Sequence, residues 1–136
     1  MTPVSRPFGG GLSKEQRIRR HSEYQAIQGE GRRVPTPHFL FVLAKRPSEL
    51  AADCGPRLGV VVSRKIGNAV ARNRVKRLIR EAFRATRSQF GCRADVVVIA
   101  RSRRESWRTA DVISEWRAAS DRIMKLVERL GLARPA

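Results

Sequence analysis

The sequence predicts an α/β (α+β) protein, a two-layer sandwich with the element order α-β-β-α-β-α around one small mixed sheet. Three observations indicate this class. The chain has 136 residues, of which 41% are hydrophobic, and this suits one folded domain with a core. Segments of strand type alternate with segments of helical period, and no internal repeat is present. We expect residues 1–11, which contain Pro and Gly, to be a flexible leader and residues 12–132 to form a single domain.

The first half of the chain predicts one helix and two strands. Ser22 and Gln25 fit a capping box at the start of a helix over residues 22–28. Residues 38–44 and residues 58–63 are rich in β-branched or apolar side chains over the length of a strand, and a turn-rich segment separates them. We expect these two strands to pair antiparallel.

The second half predicts a helix, a strand and a further helix. Asn68 is a good N-cap for a helix that runs to about Phe90. Residues 94–101 contain a run of Val and Ile that is typical of a strand covered on both faces, which places this strand inside the sheet. A long amphipathic helix should then start from an N-cap at Thr109. Its apolar positions are Val112, Trp116, Ala119, Ile123, Val127 and Leu130.

The two tryptophans can be interpreted in two ways. Exposed tryptophan rings could serve as platforms on which nucleic-acid bases stack. Trp116 falls in the apolar register of the last helix, which favours packing in the core. Trp107 precedes the helix cap, and both interpretations stay open for it.

The charge of the chain indicates a polyanionic partner. Lys and Arg total 29 against 12 Asp and Glu, which gives a net charge of +17 and a pI near 11.7. Residues 64–87 combine a dense set of cations with a single acid, Glu81. The cations are Arg64, Lys65, Arg72, Arg74, Lys76, Arg77, Arg80, Arg84 and Arg87. Several of them lie four residues apart on one helix, where like charges destabilise it by a few tenths of a kcal/mol per pair.

The predicted basic helix has an apolar face and a cationic face. At 100° per residue, the apolar positions fall on one side, and the opposite side is basic with Asn73 in its midst. The apolar positions are Ala71, Val75, Leu78, Ile79, Ala82 and Phe83. Charged helix faces are often only solvated. Three features favour nucleic-acid binding with a defined register instead. The cations of this helix repel one another, some of them lie close to the positive helix N-terminus, and the amide of Asn73 can pair with a base or a 2′-hydroxyl.

The segment RLGVVVSRKIGNAVARNRVKRLIREAF, residues 57–83, resembles the signature of the protein component of bacterial ribonuclease P. Members of that family carry an Arg-Asn-Arg motif, here residues 72–74, on a basic helix that follows a strand. Residues 95–101 and, more weakly, residues 17–31 also match the family pattern, so the resemblance covers about residues 13–130. It implies an α/β sandwich with a left-handed crossover between the second and third strands, against the general right-handed preference.

The resemblance implies two RNA partners, the catalytic RNA of ribonuclease P and the 5′ leader of precursor tRNA. The joined particle removes the leader by hydrolysing one phosphodiester, with the catalytic magnesium ions held by the RNA and not by the protein. The implied contacts with the catalytic RNA are Lys65, Asn68, Arg72, Asn73, Arg74, Lys76, Arg77 and Arg80. The implied leader-binding residues, in a cleft between the first helix and the sheet, are Tyr24, His38, Leu40 and Val42. Tyr24 stands where the family usually has Phe, and Gln28 and Val42 replace common aromatic residues.

The residues predict no catalytic site in the protein itself. A two-metal nuclease needs clustered carboxylates. The candidate acids fall instead in different predicted elements, and they are Asp53, Glu81, Asp95 and Asp111. His21 and His38 have no evident Asp or Ser partner for general-base chemistry. Cys54 and Cys92 lack the spacing of metal ligands and are expected to be reduced thiols.

Other partners and compartments are disfavoured by the sequence. The longest apolar runs are far shorter than the roughly 20 residues that span a bilayer, and the N-terminus lacks the apolar core of a secretory signal. We therefore expect a cytoplasmic bacterial protein with no membrane partner and no small-molecule substrate. The alternatives to a ribonuclease P role are a structural RNA-binding protein of the ribosomal kind, without a role in cleavage, and a basic DNA-binding domain.

Overall fold

Four strands form one mixed sheet. The computed structural model describes residues 16–47, 55–102 and 106–133, so the predicted leader over residues 1–11 lies outside the described residues. The strands are β1 (Arg32–Pro35), β2 (Phe39–Lys45), β3 (Arg57–Val62) and β4 (Ala94–Ala100). Their order in the sheet is β1-β2-β4-β3. The pairs β1/β2 and β2/β4 are antiparallel, and the pair β3/β4 is parallel.

The position of β4 corrects one prediction and confirms another. The predicted antiparallel pairing of residues 38–44 with residues 58–63 is wrong, because β4 lies between β2 and β3. The predicted place of β4 inside the sheet is confirmed, and both of its faces are covered. Strand β1 was not predicted. It is an edge strand that ends at Pro35, a residue with no N–H to donate to a ladder.

Four helices accompany the sheet: α1 (His21–Glu30), α2 (Ala69–Thr86), α3 (Thr109–Ala118) and α4 (Ser120–Leu130). A 3₁₀ turn precedes α2 and another, Arg87–Phe90, follows it, so the predicted end near Phe90 includes this tighter turn. The single long last helix predicted from Thr109 is broken at Ala119, whose φ of −93° and ψ of 0° lie outside the helical region. Thr109 is the first residue of α3, and Arg108 occupies the N-cap.

Helices α2, α3 and α4 pack against one face of the sheet and enclose the main core. The rings of Phe39 and Trp107 stack with 5.1 Å between their centroids, and Trp116 meets Phe41 edge-on at 4.9 Å. Trp107 is 2% exposed and Trp116 is fully buried. Trp116 is therefore a core residue, as predicted. The burial of Trp107 rules out base stacking on its ring.

Helix α1 covers part of the opposite face of the sheet. Its residue Ile27 packs with Val42, Val97 and Ile18, and these four residues form a second, smaller apolar cluster. The N–H of Ile18 donates to the carbonyl oxygen of Leu58 on β3, so the segment ahead of α1 runs along the outer edge of the sheet. Helix α1 thus adds a partial third layer to the predicted sandwich.

The fold belongs to the predicted mixed α+β class. The chain passes from β3 through α2 to the parallel neighbour β4, which is a single crossover. The left hand of this crossover stays a prediction. Within the described part of the chain, no helix is both long enough and apolar enough to cross a membrane.

Candidate nucleic-acid interface

Helix α2 has the two faces that the sequence predicts. Ile79 and Phe83 are fully buried in the main core. Asn73, Arg77 and Arg80 are exposed on the opposite side of the helix. We call these three residues the outward stripe. Because the apolar face fixes α2 to the sheet, the outward stripe has one defined orientation relative to the rest of the fold.

The start of α2 is formed by a glycine turn and an asparagine cap. The 3₁₀ turn Arg64–Ile66 leads into Gly67, whose φ of 149° favours glycine. The Oδ1 atom of Asn68 then accepts a hydrogen bond from the N–H of Ala71 at 2.9 Å, which confirms the predicted cap. Since this oxygen serves the cap, the side-chain amide nitrogen of Asn68 is the group left for a partner. Lys65 is exposed in the preceding turn.

Three further basic residues of α2 are held differently from the outward stripe. Arg74 donates from Nη2 to the carbonyl oxygen of Trp107 at 2.6 Å, which ties α2 to the segment before α3. Arg72 and Lys76 are half-buried. The Nε atom of Arg72 is buried without a hydrogen-bond partner among the described residues. Arg74 is also exposed, but its guanidinium is tied to Trp107, so of the motif 72–74 only Asn73 belongs to the outward stripe.

The acid in the basic segment faces α3. The side chain of Glu81 accepts a hydrogen bond from the hydroxyl of Thr109, the first residue of α3, at 2.5 Å. This contact holds the carboxylate at the junction of the two helices. The negative charge is therefore kept to one side of the outward stripe.

Beside α1, a row of apolar side chains crosses the other face of the sheet. Leu40 of β2 pairs with Ile99 of β4, and Ile99 pairs with Val61 of β3. All three residues are half-buried. We call them the sheet row. Tyr24 of α1 packs against the same cluster, whereas Val42 lies fully buried beneath α1. The sheet row and Tyr24 form a shallow apolar cleft.

Tyr24 connects α1 to the edge of the sheet. Its hydroxyl donates to the carbonyl oxygen of Ile18 at 3.1 Å and accepts the N–H of Val60 at 3.2 Å. Its ring lies directly over Gly59, where an added Cβ would come within 2.7 Å of a ring carbon. Tyr24 is therefore both a wall of the cleft and a bridge between the segment ahead of α1 and β3. A Phe at this position could not make the bridge.

A buried ionic network fixes α1 over the sheet. Arg57 is 8% exposed and donates to both carboxylate oxygens of Asp95, at 2.8 and 2.7 Å, and to Glu23 at 3.1 Å. The hydrogen bonds to Asp95 raise the pKa of Arg57 above its usual value despite burial. Glu23 also accepts the N–H of Arg20 at 3.2 Å, so α1 is capped from Glu23 rather than from the predicted Ser22. The sequence patterns gave no sign of this network.

The pKa of Glu23 is set by opposing effects. Partial burial acts to raise the pKa of this carboxyl group, but hydrogen bonds from the backbone of Arg20 and from the Arg57 guanidinium, together with the charge of Arg57, hold it below its ordinary value. Glu23 therefore stays ionised at neutral pH. Its charge is used in positioning α1, the helix that carries Tyr24.

His38 is not brought together with the other predicted cleft residues. Its Nδ1 lies 2.7 Å from Oε1 of Glu115 on α3, and its backbone N–H donates to Oε2 of the same carboxylate at 2.8 Å. Its ring meets Trp107 edge-on at 5.0 Å between centroids. These contacts place His38 against α3, on the side of the main core. The sequence did not predict its partner Glu115, because the two residues are far apart in the chain.

Arg101 is a cleft residue that sequence reasoning missed. It follows Ile99 at the two-residue period of β4, so it leaves the sheet on the same face. It is exposed, and its Nη1 donates to the carbonyl oxygen of Thr36 at 3.3 Å, across the start of β2. A cation thus stands at the end of the sheet row. The alternation of β4 could have revealed both Ile99 and Arg101.

The candidate acids serve separate structural contacts. Glu81 accepts a hydrogen bond from Thr109, and Asp95 accepts hydrogen bonds from Arg57. Asp111 accepts the N–H of Arg108 at the start of α3. Among residues 16–47, 55–102 and 106–133, no group of three or more His, Cys, Asp or Glu side chains is arranged to hold a metal ion. Asp53 and Cys54 lie outside these ranges. Cys92 is a free, half-buried thiol.

Comparison with known families places the chain beside one described family. The family model described as ribonuclease P matches residues 12–124. A ribonuclease P protein component from Syntrophus aciditrophicus is 43% identical over 104 residues, covering 76% of this chain and 83% of the relative. A protein of the same name from Desulfovibrio desulfuricans is 47% identical over 91 residues, covering 66% of this chain and 67% of the relative.

Solved structures give the same result for the fold. The RNase P protein from Staphylococcus aureus superposes with a TM-score of 0.64 at 30% identity, covering 82% of this chain and 94% of that one. The RNase P protein from Thermotoga maritima superposes with a TM-score of 0.65 at 29% identity, covering 79% and 96%. The residues that the family model matches, 12–124, include the sheet and the helices α1 and α2 that carry both regions described above.

Proposed function

The chain belongs to the ribonuclease P protein family, and we propose that it binds the catalytic RNA of this enzyme through α2 and the 5′ leader of precursor tRNA through the cleft beside α1. As a protein component of ribonuclease P it is part of an endoribonuclease complex that processes tRNA. The observation that carries the proposal is the outward stripe, a rigidly oriented basic surface in a chain of net charge +17.

The electrostatics of α2 support binding to RNA phosphates. Arg77 and Arg80 are exposed on the side of the helix away from the core, and Lys65 extends the same basic surface ahead of it. Fixed cations on one face release counterions when they contact phosphates, which is the main source of affinity for nucleic acids. Asn73 adds a donor and an acceptor that can read a base edge or a 2′-hydroxyl. Arg74 and Asn68 contribute mainly by fixing the helix and its cap.

The geometry of the cleft supports binding of a single strand. Leu40, Ile99 and Val61 offer an apolar floor to bases, Tyr24 forms a wall, and Arg101 stands at one end for a phosphate. Val42, being fully buried, supports α1 from below and does not reach a ligand. His38 lies against α3, so we leave it out of the leader site. The replacements at Gln28 and Val42 leave Tyr24 as the aromatic group of the site.

The proposed division of labour leaves hydrolysis of the phosphodiester to the RNA and to magnesium ions that the RNA holds. The carboxylates of Glu81, Asp95 and Asp111 are already engaged with neighbours in the protein and are not grouped. This chain supplies positive charge between two RNAs and a binding site for the leader. The positive charge lowers the electrostatic repulsion that opposes assembly of enzyme and substrate, and the cleft holds the leader in place.

A cleavage assay tests the proposal. The protein alone should not cut precursor tRNA. Added to a bacterial ribonuclease P RNA, it should lower the magnesium concentration needed for half-maximal cleavage, and it should favour precursors with a long leader over precursors with a leader of one nucleotide. An unchanged magnesium requirement would contradict the proposal. It would favour the alternative of an RNA-binding protein without a role in cleavage.

A further inference from the structure

A cavity of about 840 Å³ lies where the end of α2, the 3₁₀ turn Arg87–Phe90 and α4 meet. Ala85, Met124 and Val127 give it apolar walls, and Met124 is 53% exposed. Its volume falls in the range of roughly 300–1,000 Å³ that is usual for ligand sites. The outward stripe and the cleft beside α1 do not include it.

The basic surface of α2 continues to the rim of this cavity. Arg84 lies one helical turn beyond Arg80, and both Arg84 and Arg87 line the cavity. The guanidinium of Arg87 lies against Gly55, where an added Cβ would come within 2.7 Å of Nη2. Gly55 has a φ of +77°, which a glycine adopts without strain. Because Gly55 has no side chain, its backbone leaves room for the guanidinium of Arg87 at the rim of the cavity.

The cavity also contains a polar group suited to a ligand. Gln89 lines it and is 8% exposed, and its Nε2 is buried without a hydrogen-bond partner among the described residues. A buried donor without a partner carries a free-energy cost in the folded state. A rotation of the amide toward an acceptor on a bound molecule would remove this cost. Cys92 brings a half-buried thiol to the same lining.

We propose that this cavity holds one unstacked nucleotide of the catalytic RNA, with its base against Met124 and Val127 and its phosphate at Arg84 and Arg87. The inference rests on the proposed function, because α2 must lie along that RNA to deliver the nucleotide. Proteins read RNA mainly at splayed single-stranded bases, since the base edges of an A-form helix are hard to reach. A free phosphate fits less well, because the walls are apolar and Glu128 is part of the lining.

Base-specific chemical footprinting tests the inference. A ribonuclease P RNA transcript is modified with reagents for unpaired bases, alone and with saturating protein. Wild-type protein should protect an unpaired base that Ala85→Trp, which fills the cavity without changing charge, leaves reactive. Ala110→Trp, at an exposed position of α3, is the matched control and should protect that base as the wild type does. Met124→Trp fills the cavity from the opposite wall, should α2 not tolerate the first change.

The outcomes separate this inference from the proposed function. If the wild-type protein protects bases of the RNA and both cavity-filling variants protect the same bases equally well, the cavity does not hold a nucleotide, and the inference is overturned. If the RNA shows no protection with any protein, the proposed function fails first.

A second measurement needs no variant. Alkylation of Cys92, followed by peptide mapping, should slow severalfold when the RNA is bound. An undiminished rate in the complex would mean that the cavity stays open, against the inference.

Discussion

At the residue scale, the hydroxyl of Tyr24 takes the place of a backbone partner at the edge of the sheet. It links the carbonyl oxygen of Ile18 to the N–H of Val60 in one continuous chain of hydrogen bonds. The segment ahead of α1 is thereby joined to β3 at two points, through this hydroxyl and through the bond from Ile18 to Leu58. These hydrogen bonds therefore hold the wall of the cleft in a fixed position relative to the edge of the sheet.

Tyr24→Phe should lower the free energy of unfolding by about 1–2 kcal/mol, because a partly buried N–H and a carbonyl oxygen lose their partner while the ring stays in place. Urea denaturation of both proteins measures the difference. The ring that would contact the leader is unchanged, so affinity for leader-bearing precursor should fall only slightly. An identical denaturation midpoint for the two proteins would show that the hydroxyl bridge does not stabilise the fold.

Glu23 gives the stability a dependence on pH. Its pKa in the folded protein lies below the ordinary value of 4.5, so its stabilising effect is present above that value and is lost as the pH falls through the folded pKa. Glu23→Gln should therefore destabilise the protein near pH 7, and the difference from wild type should shrink as the pH falls below 4.5 and through the folded pKa. Urea denaturation across this range tests the prediction. A difference that is constant with pH would mean that the charge of Glu23 contributes nothing.

The limits of sequence reasoning are clear at the residue scale. The exposed positions Asn73, Arg77 and Arg80 follow from helical period alone. The tether of Arg74 to Trp107 and the hydrogen bond between His38 and Glu115 do not, because each joins residues that are far apart in the chain. Helical period and residue spacing predict which face of an element a residue occupies. They do not predict which faces pack against each other, and contacts between elements depend on that packing.

At the element scale, the difference between local sequence patterns and contacts between elements explains which strands and helices the sequence predicts. Strand β4 and helix α2 have strong local patterns and were placed correctly. The order of the strands was not, because hydrophobic alternation says which face is buried and nothing about which strand is the neighbour. Strand β1 is four residues long and ends at Pro35, so its pattern is too short to detect. The break at Ala119 is invisible because the apolar spacing continues through it.

The contact of α1 with β3 depends on a glycine. Gly59→Ala should clash with the ring of Tyr24, since the added Cβ would lie 2.7 Å from a ring carbon, and overpacking of this kind costs about 1–3 kcal/mol. The variant should lose stability in thermal unfolding and should bind leader-bearing precursor more weakly, because α1 is displaced. Its affinity for the catalytic RNA should be retained.

Gly29→Ala is the matched control for that variant. Gly29 lies in α1 with no atom within 4 Å of an added Cβ, and alanine is favoured over glycine in a helix by about 1 kcal/mol. This change should therefore raise the unfolding temperature. If both alanine variants behaved alike, the close approach of Tyr24 to Gly59 would not be what positions α1.

At the scale of the whole molecule, one sheet separates the two surfaces that we propose bind RNA. Helix α2 lies over the face that carries the main core, and the cleft with Tyr24 lies on the opposite face beside α1. One protein could therefore hold the catalytic RNA on one side and the substrate leader on the other. The net charge of +17 favours both contacts and makes both sensitive to salt.

The salt dependence of binding to a ribonuclease P RNA tests the central claim, that the outward stripe of α2 is the phosphate-binding surface. Arg77→Ala combined with Arg80→Ala should reduce the slope of log K against log salt concentration by roughly 0.7 to 0.9 for each lost contact. Arg117→Ala combined with Arg129→Ala removes two cations from exposed positions of α3 and α4 and should leave the slope unchanged. Equal slopes for wild type and the α2 variant, or an equal loss in both double variants, would contradict the claim.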